Sequence, residues 1–341
     1  MWQSERWNRA VKRIPASDSF AEALRLAFQL VRHRRQHDVV YTVGVREAQA
    51  YGVLCALVGT GARPHVATEI LLDETRSSSL AWRMKRALRR LAFAQTAAVI
   101  VFSKGERELY SRELQLPLDR VRFVPFHTNI QQPRFTAAGT YGFAAGRSLR
   151  DYRTFFAAVE TIKFPFIVVA DRDSVAHLRI PDNVELHCDV PRSKYLELLE
   201  GSLFVTVPLE AEYRSSGQVV VLEAAALGKP VIASNVVGVR DYISHGVDGL
   251  LVPPGDPEAL RSSIQSLIAD DAMGQRLARS AMRRVKRDHT FDVFVAECMS
   301  ILSEACHLSA GFDLSQPAIQ DVADPSAPAL QDPVLLKEEL T

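Results

Sequence analysis

Short apolar runs alternate with amphipathic stretches along most of the chain, and that alternation restricts it to a parallel α/β architecture. In the first half, DVVYTVG, HVATEI, AAVIVFS and VRFVP read as strands. A helix is expected from about Ser19 to His33, with Phe20, Leu24, Phe28 and Val31 on one face. Another ends at Gly59 and Gly61, and SLAWRMKRALRRLAF is a third. Ser103 and Glu106 have the spacing of a capping box for the next helix. The second half repeats the pattern with strands YGFAAG, FIVVAD, NVELHCD, LFVTVPL and PVIAS. Its helices are DYRTFFAAVET, SKYLELLEGS and QVVVLEAAALG, the last closed by Gly228 with Pro230 beyond. Asp256 and Pro257 form an N-cap and first helical position.

At about 100 to 200 residues per domain, 341 residues make two domains. Residues 1–133 form the first. The aperiodic stretch HTNIQQPRFTAAGT marks a linker, placed at 134–139, and 140–290 form the second. A C-terminal helix follows at 291–308, and the proline-rich stretch 309–341 is expected to be disordered. Each domain is expected to be a Rossmann-like doubly wound sheet, the two facing each other across a cleft. Such a pair suits dehydrogenases, periplasmic-type binders and sugar-nucleotide enzymes alike, so motifs must separate them.

The net charge is +1, which argues against a polybasic nucleic-acid binder. It hides an asymmetry: residues 1–135 carry 22 Lys and Arg against 12 Asp and Glu, and the remainder 19 against 28. The two parts therefore suit different partners. No apolar run approaches the roughly 20 residues needed to span a bilayer. The start, MWQSERWNRAVKRIP, has no apolar signal core. Cys55, Cys188, Cys298 and Cys306 lack paired spacing and fit buried thiols in a reducing compartment. A cytoplasmic protein is expected.

The most informative stretch runs from Arg214 to Pro257, RSSGQVVVLEAAALGKPVIASNVVGVRDYISHGVDGLLVPPGDP. The small turn SSGQ leads into a helix whose free N–H groups and positive dipole end make a phosphate site, with Ser215 and Ser216 adding hydroxyls. Glu223 lies among VVVL and AAAL, where a carboxylate is costly to bury unless it is paired or binds something. A capped core helix with an incidental acid is the plainer account.

This stretch, with LEAAALGKPVIAS and DGLLVPPGDPEAL, resembles the donor domain of family-4 retaining glycosyltransferases of the GT-B fold. YGFAAGRSLRDYRTFFAAVE and NVELHCDVPRSKYLELLEGSLFVTVPL resemble the preceding parts of that domain, and AVIVFSKGERELYSRELQLPLDRVRFVP the end of the family's first domain. The likeness runs from about Asp38 to Cys306. It implies transfer of a sugar from a nucleotide-sugar donor to a glycan, lipid or small-molecule acceptor, with retention and without a metal or other cofactor. The second domain would bind the donor and the first the acceptor. Arg147 matches the family arginine on the donor diphosphate, and Arg150 falls where a lysine is frequent; a solvated loop is the bland alternative. Gly217 and Gln218 match the phosphate-binding N–H groups, and Glu223 the ribose ligand.

The chain departs from the pattern in places. Ser215 stands where the family has a glutamate that helps position the donor sugar. The acceptor-side histidine is absent; in HVATEILLDE, Glu69, Asp73 and Glu74 are the nearest polar candidates, and His65 sits too early. The family's first strand and glycine-rich turn are not evident, and His127 reads as a linker residue. These departures keep open a second account, a degenerate GT-B protein that binds a nucleotide or protein partner without turnover. Asp171 and Asp173 have the spacing of a metal–diphosphate pair, but Arg172 between them opposes a cation.

The helix at 81–93 carries Arg83, Lys85, Arg86, Arg89 and Arg90. A basic amphipathic helix suits an anionic membrane surface or an acidic acceptor, and few aromatics interleave it as nucleic-acid binding would need. The alternative is an ordinary surface helix packed through Leu88 and Leu91.

Overall fold

The computed structural model describes residues 20–59, 63–72, 79–137, 139–212 and 214–310. The first half runs α1 (Phe20–His33), β1 (Val40–Val43), α2 (Val45–Val58), β2 (His65–Thr68), α3 (Leu80–Phe93), β3 (Ala98–Val101), α4 (Lys104–Leu114) and β4 (Val121–Phe123). Its four parallel strands lie in the sequential order β1-β2-β3-β4. Strands β2 and β3 are buried on both faces, which is why their sequences are continuous rather than alternating. In α1 the buried face is Ala23 and Ala27, packed with Tyr51 and Cys55 of α2, while Leu24 and Phe28 point outward. The small side chains let the two helices approach closely, so size decides the face here, not hydrophobicity alone.

The second half runs β5 (Gly142–Ala145), α5 (Tyr152–Val159), β6 (Phe166–Ala170), α6 (Arg172–Val175), β7 (Val184–Cys188), α7 (Arg192–Glu200), β8 (Phe204–Val207), α8 (Gln218–Ala226), β9 (Val231–Ser234), α9 (Val237–Arg240), β10 (Leu250–Val252), α10 (Pro257–Ala269), α11 (Asp271–Asp288) and α12 (Phe291–Ala310). The strand order is β10-β9-β8-β5-β6-β7, all parallel. The chain winds one way from β5 and the other way from β8, so this sheet has its switch point between those two strands. A crevice for a ligand is expected beyond their C-terminal ends.

The halves are joined at several points. Helix α12 returns to the first sheet, where Cys298, Ile301 and Ala305 pack with Val66, Ala98, Ile100 and Val124. The segment expected to be a plain linker lies against the C-terminus of α8. Arg134 N–H donates to Ala226 O at 2.8 Å and Thr136 N–H to Leu227 O at 3.2 Å. Those carbonyls have no partner within the helix, which gives the segment its fixed course. Lys229 is buried beside it, its ammonium donating to Ala137 O and Ser202 O at 2.7 Å each. Asp241 caps α4 from the other half, accepting from Lys104 N at 2.8 Å and from the Ser103 hydroxyl at 2.9 Å. Residues of the expected C-terminal tail from 311 onward lie outside the described residues.

Candidate functional site

Two loops that touch follow the C-terminal ends of β5 and β8. After β5 the chain runs Gly146, Arg147, Ser148, Leu149, Arg150, and an isolated antiparallel bridge pairs Arg150 with Leu209 after β8. Gly146 has φ +132, and a Cβ there would lie 2.3 Å from the Arg150 guanidinium. Only glycine allows the arginine to fold back over its own loop. Arg150 Nε donates to Ala145 O at 2.8 Å, and Nη1 to Ser148 O at 2.8 Å and to the Ser216 hydroxyl at 3.2 Å. All three acceptors are neutral, and burial pushes the guanidinium below its ordinary pKa. Among the described residues Arg150 has no carboxylate partner. Arg147, by contrast, is exposed and has no hydrogen-bond or ion-pair partner among the described residues.

The second loop opens α8. Gly217 caps the helix at φ +89, and a Cβ would meet Leu209 Cδ1 at 2.9 Å. The N–H groups of a helix's first turn have no partner within the helix and can receive an anion. Ser216 donates its hydroxyl to Ser148 O at 2.9 Å, and Arg214 reaches the Ser148 hydroxyl at 3.0 Å. Ser215 N–H donates to Glu106 Oε1 at 2.7 Å, across the boundary between the halves. The Ser215 hydroxyl and the Gln218 side-chain nitrogen are buried and lack hydrogen-bond partners among the described residues. Thus Arg147, Arg150, Ser215, Ser216, Gly217 and Gln218 all lie on these two adjoining loops.

Glu223 is placed differently from a side chain waiting for a ribose. It is 0% exposed. Arg192 Nη1 donates to its Oε2 at 3.0 Å and Nη2 to its Oε1 at 2.5 Å. The Tyr195 hydroxyl donates to Oε2 at 2.8 Å and Asn129 Nδ2 to Oε1 at 3.3 Å. A carboxylate has about four acceptor positions, so protein groups occupy the set. Arg192 also lies over the Tyr195 ring at 5.0 Å. Arg192, Tyr195 and Asn129 were not evident in the sequence, although the spacing of Arg192 and Tyr195 at the start of α7 puts both on one helix face.

On the first half, Glu69 follows β2 with φ +53, a left-handed conformation that costs a non-glycine residue free energy. Its side chain faces solvent, yet surrounding protein raises its carboxyl pKa, with nearby His127 opposing the shift. His127 is therefore more than a linker residue; its ring also packs against Phe126 and Phe294. Asp73 and Glu74 lie outside the described residues. His65 is a core residue: its Nε2 and Nδ1 pair with the Thr42 and Thr96 hydroxyls at 2.8 and 3.1 Å, and burial pushes its pKa down to about 3.

Helix α3 is turned opposite to a helix packed through Leu88 and Leu91. Leu80, Met84, Leu88 and Leu91 are 71%, 65%, 51% and 49% exposed. The buried side holds Phe93 and the half-buried Trp82 and Arg86, whose guanidinium lies 5.1 Å over the Trp82 ring. Arg86 bonds Glu113 of α4 at 3.0 Å, and Arg90 donates to Glu113 O at 3.3 Å. The arginines turn inward to this acid, leaving an apolar stripe outside with Arg83 and Lys85 exposed beside it. No helix among the described residues is long and apolar enough to cross a membrane. Asp171 is spent capping α6, accepting from the Ser174 hydroxyl at 2.7 Å and from Ser174 N at 3.3 Å.

Residues 145–270 match the family model described as glycosyl transferases group 1. D-inositol 3-phosphate glycosyltransferase of Xylanimonas cellulosilytica is 31% identical over 138 residues, 40% of this chain and 32% of that protein. Glycogen synthase of Mycobacterium tuberculosis is 36% identical over 80 residues, 24% of this chain and 19% of that protein. The matched part thus spans a third or less of these relatives. Sucrose-phosphate synthase from Thermosynechococcus elongatus superposes with TM-score 0.68 at 20% identity, covering 87% of this chain and 82% of its own. Anabaena HepE in complex with UDP superposes with TM-score 0.65 at 18% identity, covering 82% of each chain. The protein therefore has the GT-B fold, and its residues 145–270 match the group 1 glycosyl transferases.

Proposed function

We propose that this chain is a retaining glycosyltransferase that moves a sugar from a nucleotide-sugar donor to a glycan or lipid-linked acceptor without a required metal. The observation that carries the reading is Arg150, a half-buried cation at the switch point with only neutral partners among the described residues. A partly desolvated charge without a counter-charge is costly, and a diphosphate binding there would balance it. The α8 N-terminus and the exposed Arg147 would take the same group from two further sides. As the glycosidic bond breaks, negative charge grows on the leaving diphosphate, and these fixed donors would oppose it there. That division of labour needs no cation, and Asp171 is already engaged with Ser174. Retention is what the likeness of the 214–257 stretch to family-4 enzymes implies, and the UDP bound to HepE supports a nucleoside diphosphate as the donor's leaving part.

The first half would take the acceptor, with Glu69 and His127 at the end of its sheet. The outward stripe of α3, flanked by Arg83 and Lys85, fits an anionic membrane surface in which a lipid-linked acceptor would lie. Titration with nucleoside diphosphates tests the donor site: binding by the wild type that falls at least tenfold in Arg150→Ala supports it, and equal affinities contradict it.

A further inference from the structure

Glu106 sits in the first turn of α4, in the half opposite the donor loop, and is 3% exposed. Its spacing from Ser103 reads as a local cap, but Oε1 accepts the Ser215 N–H at 2.7 Å instead of serving its own helix alone. Burial raises its pKa, opposed chiefly by the Ser215 backbone N–H. One residue farther on, Ser216 meets the Arg150 guanidinium. The loop is thus divided by charge within two residues. A phosphate suits the Ser216–Gln218 side, where a cation and helix N–H groups converge, and is repelled from the Ser215 side by the carboxylate. What a buried carboxylate accepts is hydroxyl protons. The Ser215 side chain faces this carboxylate, and three residues on the Gln218 amide nitrogen is buried and lacks a hydrogen-bond partner among the described residues. A polar group left in that state is costly, so a ligand rich in hydroxyls gains by meeting it.

We propose that Glu106, reaching over from the first half, is the carboxylate of the donor-sugar subsite and fixes which sugar hydroxyls are accepted, together with Ser215 and Gln218. This rests on the donor-site reading above. It makes the sugar a ligand of both halves, held by Glu106 from one side and by the loop before α8 from the other. The diphosphate is a ligand of the second half alone. Sugar recognition then requires the halves to be together, whereas nucleotide binding does not.

The test compares nucleoside diphosphates with nucleotide sugars bearing glucose, mannose or N-acetylglucosamine, using calorimetry and transfer rates. In Glu106→Gln, affinity for the diphosphate should stay within about twofold while KM for the nucleotide sugar rises roughly 10- to 100-fold. The double variant Glu106→Gln/Ser215→Glu returns a carboxylate to the same place from the other side, and it should recover most of that loss. Glu106→Gln/Ser215→Ala should not. Equal loss of diphosphate and nucleotide-sugar binding, or no rescue by the relocated carboxylate in a folded protein, would reduce Glu106 to a structural contact. An unchanged KM in Glu106→Gln would overturn the assignment and leave the donor site standing. A wild type that binds no nucleoside diphosphate would overturn both.

Discussion

Arg150 Nη1 lies 3.2 Å from the Ser216 hydroxyl, so the loop that ends β5 and the loop that opens α8 share one half-buried cation. The two loops are 66 residues apart in sequence. Their contact places a cation at the switch point of the second sheet. Arg147, three residues earlier, adds a cation that has no structural duty among the described residues. The two arginines differ in kind: one organises the surface and the other only faces it.

Arg147→Ala is therefore expected to leave thermal stability unchanged and to slow transfer far more than it weakens donor binding. The gain from a fixed guanidinium is largest where charge develops on the leaving oxygen. Arg147→Lys should recover only part of the rate, because an ammonium cannot make a two-pronged contact. Single-turnover transfer at saturating donor, beside melting curves, checks this; a large fall in Tm would assign Arg147 to the scaffold.

Glu223 holds Arg192, Tyr195 and Asn129 at once. Glu223→Ala should destabilise the protein by roughly 1.5 to 3 kcal/mol, since Tyr195 and the exposed Arg192 lose hydrogen bonds to a charged group. If the nucleotide lies beside α8 as proposed, displacing Asn129 and Arg192 should also weaken nucleoside diphosphate binding, by roughly tenfold or more. Urea denaturation and calorimetry measure the two effects. A variant as stable as the wild type would mean that the four-fold engagement of the carboxylate contributes nothing.

His65 titrates near 6.5 when unfolded and at about 3 when folded. The unfolded chain thus takes up a proton that the folded one refuses. This contribution to stability is fully present above pH 6.5 and is lost as pH falls below it, by up to about 1.4 kcal/mol per pH unit until about pH 3. Urea unfolding at pH 7, 6 and 5 should show that slope in the wild type and a shallower one in His65→Gln. Equal slopes would place the proton uptake elsewhere.

Much of the fold was legible because it is local. Period-2 and period-3.6 patterns depend on near neighbours, and the glycine at 228 and the Asp256–Pro257 cap signal helix ends within a few residues. The two donor loops were legible as short motifs for the same reason. What failed was long-range. The partners of Glu223 come from 31 and 94 residues away, and Glu106 reaches Ser215 over 109. In α3 the alternative of packing through Leu88 and Leu91 would put the apolar residues inside, but Glu113 draws Arg86 and Arg90 to the buried side. No periodicity in the helix itself records an acid on its neighbour.

That inversion makes the outer face of α3 testable. Leu88→Ser/Leu91→Ser should co-sediment with phosphatidylglycerol-rich vesicles at least tenfold less than the wild type, because both side chains are half-exposed and add apolar area to the contact. Arg83→Gln/Lys85→Gln should weaken binding further at low salt than at high salt, at about 1 kcal/mol per charge. Donor binding should be unaffected in both. Sedimentation equal to wild type would leave the stripe without a membrane role.

The central claim is that the surface formed by Arg147, Arg150 and the α8 N-terminus serves a departing nucleoside diphosphate. Release of nucleoside diphosphate from a panel of nucleotide sugars, followed for the wild type and for Arg147→Ala/Arg150→Ala, tests it most directly. The expected result is turnover of at least one nucleotide sugar by the wild type, and a loss of about 100- to 1000-fold or more in the double variant. A folded double variant that releases product at a near-normal rate, or a wild type that turns over no nucleotide sugar with any acceptor, would contradict it.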